Sequence, residues 1–204
     1  MDTREKAKRL ADYLRGLNDF EIVREEYCDH IGAILVDAIL QAGANYDAVK
    51  ERVDKIKNFS AARTTSGFIA LAKRESINVL LCWEGRKPRR VLTIACFFKD
   101  EGVNTVSDLR RWLEAPNNPE KLIAMDGIGN KTVDYLKKLA GIPNTAIDRY
   151  WYRLLDEARI PHEGYSEAKQ IADLTAEETG IDKASLDLGV WWYMRKKSRG
   201  PSCS

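Results

Sequence analysis

No stretch of the 204-residue chain holds about 18 consecutive apolar residues, which argues against a membrane-spanning helix. The opening MDTREKAKRL is too polar for a signal peptide, so an intracellular protein, cytoplasmic or nucleoid-associated, is expected. Cysteine is scarce: Cys28, Cys82, Cys96 and Cys203 lie far apart, which removes zinc-type spacings, and inside a cell they stay reduced. Neither sign of charge dominates. With 33 Lys and Arg against 31 Asp and Glu the net charge is +2, so binding to a polyanion must come from local placement of charge. Pro- or Ser-rich linkers, internal repeats and strand-type alternation are missing as well. What remains is a composition of 44% hydrophobic and 31% charged residues, enough for one good core or two small lobes.

The apolar period is helical almost throughout. Thr3 is expected to cap a helix through about Leu17, and a second helix is expected over 20–28. The run from Ile31 to Leu40 reads as a buried helix ending in Gln41-Ala42-Gly43-Ala44-Asn45. Helices are then expected over 46–59 and from a Ser60 cap through Lys73, with a short buried element over 77–83. The basic segment Gly85-Arg86-Lys87-Pro88-Arg89-Arg90 leads into a buried helix over 91–98. Cations at a helix start oppose its dipole, so they serve either an external anion or simply a solvated loop. Further helices are expected over 105–113, 118–125, 149–158, 165–179 and 184–197.

The stretch Leu122 to Asp148 organises the rest. Asp126-Gly127-Ile128-Gly129 should form a tight turn between two helices, with both glycines supplying positive φ and close backbone approach. Ile128 is the apolar plug between the helices. The second helix, Asn130 to about Ala140, starts with amides that can hold a phosphate oxygen, which makes Gly127, Ile128, Gly129, Asn130 and Thr132 the candidate phosphate grip. A plain helix connector is the simpler alternative. Lys131 stands in the first helical turn, where the dipole opposes an ammonium, and its neutral amine is a nucleophile. Gly141 and Pro143 end the helix and an extended segment follows. With a rise of about 1.5 Å per helical residue out and about 3.3 Å per extended residue back, Asp148 can return towards Lys131.

MDGIGNKTVDYL followed by AIDRYWYR resembles the signature of the helix-hairpin-helix DNA glycosylase superfamily, the group of endonuclease III and 8-oxoguanine glycosylase. The resemblance covers about 32 residues. By it, Lys131 matches the catalytic lysine of members that also cleave the strand, Asp148 the shared aspartate and Arg153 the arginine beyond it. Asp126 stands where proline is usual and Tyr150 where histidine is usual. The four closely spaced cysteines that hold an iron–sulfur cluster in many endonuclease III relatives have no counterpart, since only Cys203 follows Asp148, so no cluster is expected.

The resemblance implies an all-α, two-lobed fold of about ten to thirteen helices. One lobe spans 29–144, the other 1–28 with 145–204, and a cleft between them places Lys131 and Asp148 on opposite walls. It implies a monomer acting on double-stranded DNA with a damaged base or an abasic site, with no membrane, metal or organic cofactor. Asp148 would stabilise the sugar cation and help take a proton from Lys131, which would form a Schiff base and drive β-elimination. Gln41 resembles the residue that fills the gap left by an extruded base, although a polar helix end facing solvent explains it equally, and Asn45 is a weaker candidate for the same task. Trp191 and Trp192 are candidates to stack on that base, against the simpler role of packing. Two other readings stay open: a monofunctional glycosylase using Asp148 and water, and a non-catalytic helix-hairpin-helix module. The lesion is not legible in the sequence.

Overall fold

The computed structural model describes residues 1–24 and 28–199, without the side chain of Arg199. Among these residues the chain forms twelve α-helices and one 3₁₀ turn, with no strand, the all-α architecture expected from the helical period. It divides into two compact units, Tyr27–Ile142 and Met1–Glu26 with Pro143–Ser204.

The central unit is built around α2 (Ile31–Leu40), whose sequence IGAILVDAIL is apolar on every side but Asp37. Such a helix has no face for water and must be surrounded. It packs against α3 (Tyr46–Lys57), α4 (Thr65–Glu75), α6 (Arg86–Asp100) and α9 (Asn130–Leu139). Gly32 lets α2 press on the 3₁₀ turn Ser60–Arg63, since a Cβ there would stand 2.8 Å from the Ala62 carbonyl oxygen. The short helices α5 (Ile77–Leu81), α7 (Val106–Glu114) and α8 (Asn118–Ile123) complete the unit, and its core includes Phe68, Phe98, Trp112, Ile128 and Leu136.

In the terminal unit α1 (Thr3–Arg15) packs along α11 (Gly164–Thr179), while α10 (Arg149–Glu157) and α11 both pack on α12 (Lys183–Arg199). Leu10, Leu14, Trp151, Leu154, Ile171, Leu186 and Val190 form its core. This unit joins the first and last parts of the sequence.

Four local expectations need correction. Asp2, not Thr3, caps α1, because its carboxylate accepts the Glu5 amide at 2.8 Å, and the helix stops at Arg15. No helix forms over the described residues 20–24 and 28–30; Phe20 instead packs edge-on to Tyr193 at 6.1 Å, a tertiary contact that replaces helical pairing. Residues 25–27 of that expected helix lie outside the described residues, as does Cys203. The helix expected from Ser60 is split, because the Thr64 hydroxyl accepts the Gly67 amide at 3.1 Å and starts α4 afresh after the 3₁₀ turn. Finally, α6 begins at Arg86, so the basic segment is its first turn and not a preceding loop.

The start of α7 shows how local chemistry fixes an end. Thr105 and Asp108 form a reciprocal capping box, with the Asp108 carboxylate accepting the Thr105 amide at 2.9 Å and the Thr105 hydroxyl accepting the Asp108 amide at 3.2 Å. The Thr105 hydroxyl, joined by the Thr105 and Asn104 amides and Arg111 and opposed by partial burial, holds the Asp108 carboxyl at about 2. A carboxyl lowered on folding stabilises the native state above its ordinary value and loses that contribution as pH falls towards 2. Asp108→Ala should therefore cost about 1 kcal/mol at neutral pH. In urea titrations that cost should shrink between about pH 4 and pH 2, where the wild type loses the same bonds.

Candidate functional site

The hairpin lies in the central unit. After α8 the chain turns through Asp126 and Gly127, and the Ile128 amide donates to the Met125 carbonyl at 3.1 Å. Gly127 has φ +75°, the left-handed region that a Cβ penalises. Gly129 does not share that conformation: its φ of −117° and ψ of 177° are extended, which corrects the expectation of two positive-φ glycines. Its place as the N-cap of α9 explains the difference, since an N-cap residue sits in the β region while its carbonyl takes the first helical bond, here from Val133 at 3.2 Å. Apart from its chain neighbours, no described residue lies within 4 Å of where a Gly129 Cβ would stand. An outside group can therefore come close to the backbone at the start of α9. Ile128 is 6% exposed and fills the core below the turn, as a plug should. Asn130 is exposed, Lys131 half-buried and Thr132 buried.

Arg90 of α6 lies against this turn. Its guanidinium donates to Asp126 at 3.0 Å, and a Cβ on Gly127 would stand 2.1 Å from its Cζ. The Arg90 Nε is buried without a hydrogen-bond partner among the described residues. Gly127→Ala should lower unfolding free energy by roughly 1–2 kcal/mol, because the new methyl meets both an unfavourable φ and the Arg90 head. A urea titration checks the stability, and duplex affinity should fall with it if the turn grips a phosphate.

One turn earlier on α6, Lys87 has a different task from the external-anion role open to the basic segment. Its ammonium donates to the Leu40 carbonyl at 2.8 Å and the Ala42 carbonyl at 2.6 Å, closing the C-terminus of α2 on either side of Gln41. Burial, with help from the Arg90 charge, pushes the Lys87 amine below its ordinary value. Arg86 and Arg89 remain exposed. Gln41 is the C-cap residue of α2, and its side-chain oxygen is buried without a hydrogen-bond partner among the described residues. The residue as a whole is half-buried. Asn45, by contrast, is occupied as the cap of α3, accepting the Asp47 amide at 2.8 Å.

Asp148 lies in the terminal unit as the N-cap of α10. Its Oδ1 accepts the Tyr150 amide at 2.8 Å and the Trp151 amide at 3.3 Å, so the carboxylate is held at a helix N-terminus where negative charge is favoured. Tyr150 is buried, with the Arg149 guanidinium 4.9 Å above its ring. Arg153 is exposed one turn on and donates to the Ser198 hydroxyl at 3.3 Å.

On α12, Trp191 is half-buried and edge-on to Tyr150 at 6.3 Å. Trp192 is 44% exposed and lies 4.9 Å from Trp191, with the Arg195 guanidinium over both rings at 4.7 and 5.8 Å. Of the two, Trp192 has the open ring surface.

Sequence reasoning passed over a buried polar network beside Asp148. Asp187, 6% exposed, accepts the Ala146 amide at 3.1 Å and the Trp151 indole N–H at 2.7 Å. Lys169 donates to Asn144 at 2.9 Å and to both Asp173 oxygens at 2.8 Å, and the Thr145 hydroxyl donates to Asp173 at 2.7 Å. Against the opposing effect of burial, the bonds from Lys169 and Thr145 hold the Asp173 carboxyl below its ordinary value. A signal was present, since Asp187 shares the spacing 187, 190, 191, 194 with Val190, Trp191 and Met194, a carboxylate on an apolar stripe.

No protein-family model matches the chain. Endonuclease III of Buchnera aphidicola subsp. Baizongia pistaciae (strain Bp) is 26% identical over 183 residues, covering 84% of this chain and 76% of the relative. H. pylori 3-methyladenine DNA glycosylase (MagIII), solved bound to 1,N6-ethenoadenine, matches in fold with a TM-score of 0.61 over 97% of this chain and 99% of that one, at 17% identity. The chain is thus similar in sequence to an endonuclease III and in fold to a DNA glycosylase, and it carries the hairpin signature over 125–136 and 146–153.

Proposed function

We propose that the chain is a DNA glycosylase of base excision repair that also carries a lyase step. The observation that carries this reading is the hairpin: a helix start capped by a glycine, which has no side chain to occupy the free amides and is open to close approach, with Lys131 in the first turn of α9. Its amides grip a backbone phosphate, which positions the protein without reading sequence. The target nucleotide is taken out of the stack, and Gln41 fills the space it leaves. Trp192, with Trp191 behind it, offers the flipped base a ring to stack on. Asp148 faces the positive charge that develops on the sugar as the bond from C1′ to the base nitrogen breaks. The Lys131 amine then adds to C1′, the sugar ring opens to a Schiff base, and loss of the C2′ proton expels the 3′ phosphate.

Borohydride treatment with an abasic-site duplex tests the lyase step. The expected result is a covalent protein–DNA adduct. Base release without an adduct would leave a hydrolytic glycosylase that uses Asp148 and water, and binding with neither would leave a non-catalytic module. The lesion panel begins with 3-methyladenine and 1,N6-ethenoadenine, named by the structural relative, and extends to oxidised, deaminated and mismatched bases.

A further inference from the structure

Residues 143–148 carry Asp148 into α10 without regular secondary structure, and Asn144 to Ile147 are buried. Buried polar groups outside a helical ladder need partners elsewhere. The Ala146 amide finds Asp187 Oδ1 at 3.1 Å, and the same oxygen receives the Trp151 indole N–H at 2.7 Å. Trp151 in turn donates its backbone amide to Asp148 Oδ1. One carboxylate oxygen on α12 therefore ties down the chain two residues before Asp148 and three residues after it. Lys169, Asp173 and Thr145 tie the same segment one residue earlier.

A buried carboxylate is an expensive way to stabilise a core, because an apolar side chain of similar volume often does as well or better. What it adds here is a fixed geometry, two hydrogen bonds converging from both flanks of one residue. We propose that Asp187 is a positioning residue for base excision, holding the turn that presents the Asp148 carboxylate. This rests on the role given to Asp148 under the proposed function. A displacement of about 1 Å at a reacting group can cost about 10²-fold in rate.

The test measures single-turnover base release from the panel duplex that the wild type processes fastest, together with affinity for an abasic-site duplex. Asp187→Ala should slow release about 10²-fold and leave affinity within about twofold. Asp187→Asn keeps an acceptor oxygen and should recover to within about tenfold of wild type. Trp151→Phe keeps the ring in the core but removes the indole donor, and should slow release about tenfold even if Asp187→Ala does not fold. Wild-type rates in both Trp151→Phe and Asp187→Ala, or affinity lost with the rate unchanged, would overturn the proposal. Asp148→Asn is the control. If it releases base normally, the proposed function fails and this inference with it; if it is inactive while Trp151→Phe and Asp187→Ala run at wild-type rates, only the positioning role fails.

Discussion

Lys131→Gln should abolish the borohydride-trapped adduct and reduce strand cleavage at an abasic site by about 10³-fold or more, because an amide cannot form a Schiff base. The fold should not suffer. Lys131 is half-buried on α9, and glutamine has nearly the helix propensity of lysine. A cation in the first turn is unfavourable by about 0.3–1 kcal/mol, so glutamine should if anything stabilise the helix. Local stability does not account for lysine here, which is consistent with a chemical reason for it. Duplex affinity should change little, since the backbone amides are untouched, and weaker base release should survive. An adduct that persists in Lys131→Gln would move the nucleophile to another amine and remove the central residue of the lyase reading.

Asp148→Asn should depress base release by about 10²–10³-fold, the usual cost of removing one group aimed at charge developing in a transition state. Here too the structure offers a clean separation of chemistry from stability. Asp148 caps α10 through the Tyr150 and Trp151 amides, and asparagine caps a helix about as well as aspartate. Asp148→Asn should thus unfold in urea near the wild-type midpoint while losing activity. Asp148→Ala should lose the activity and about 1 kcal/mol of stability as well. Were Asp148→Asn fully active, Asp148 would be a helix cap and nothing more.

The contrast between these two residues and their surroundings shows what kind of information the sequence holds. Ile31–Leu40 was legible as a buried helix because its apolar residues leave no face for water, and α2 occupies those residues in the structure. The turn at Gly127, the plug at Ile128 and the end of α9 were legible because turn and cap chemistry acts over a few bonds. At that end Gly141 takes φ +78° and Ile142 donates back to the Lys137 carbonyl. The shared conformation expected for Gly129 failed for the same local reason: a glycine before a helix serves equally as an extended cap. The misplaced starts at Thr3 and Ser60 follow from choosing among nearby capping residues, where Asp2 and Thr64 hold the bonds.

By itself the sequence determined the all-α class, the order of most helices and the hairpin with Lys131 and Asp148 at helix starts, because periodicity, capping and turn chemistry are properties of neighbours along the chain. Only the tertiary structure decided that Lys87 closes α2 beside Gln41, that Arg90 lies on Gly127, and that Asp187 holds both flanks of Asp148. Those partners stand tens of residues apart, and a hydrogen bond between distant residues leaves no period in the sequence to be read. Folding brings them together because buried polar groups must be paired, and the chain offers several candidates for each pair until the core has formed.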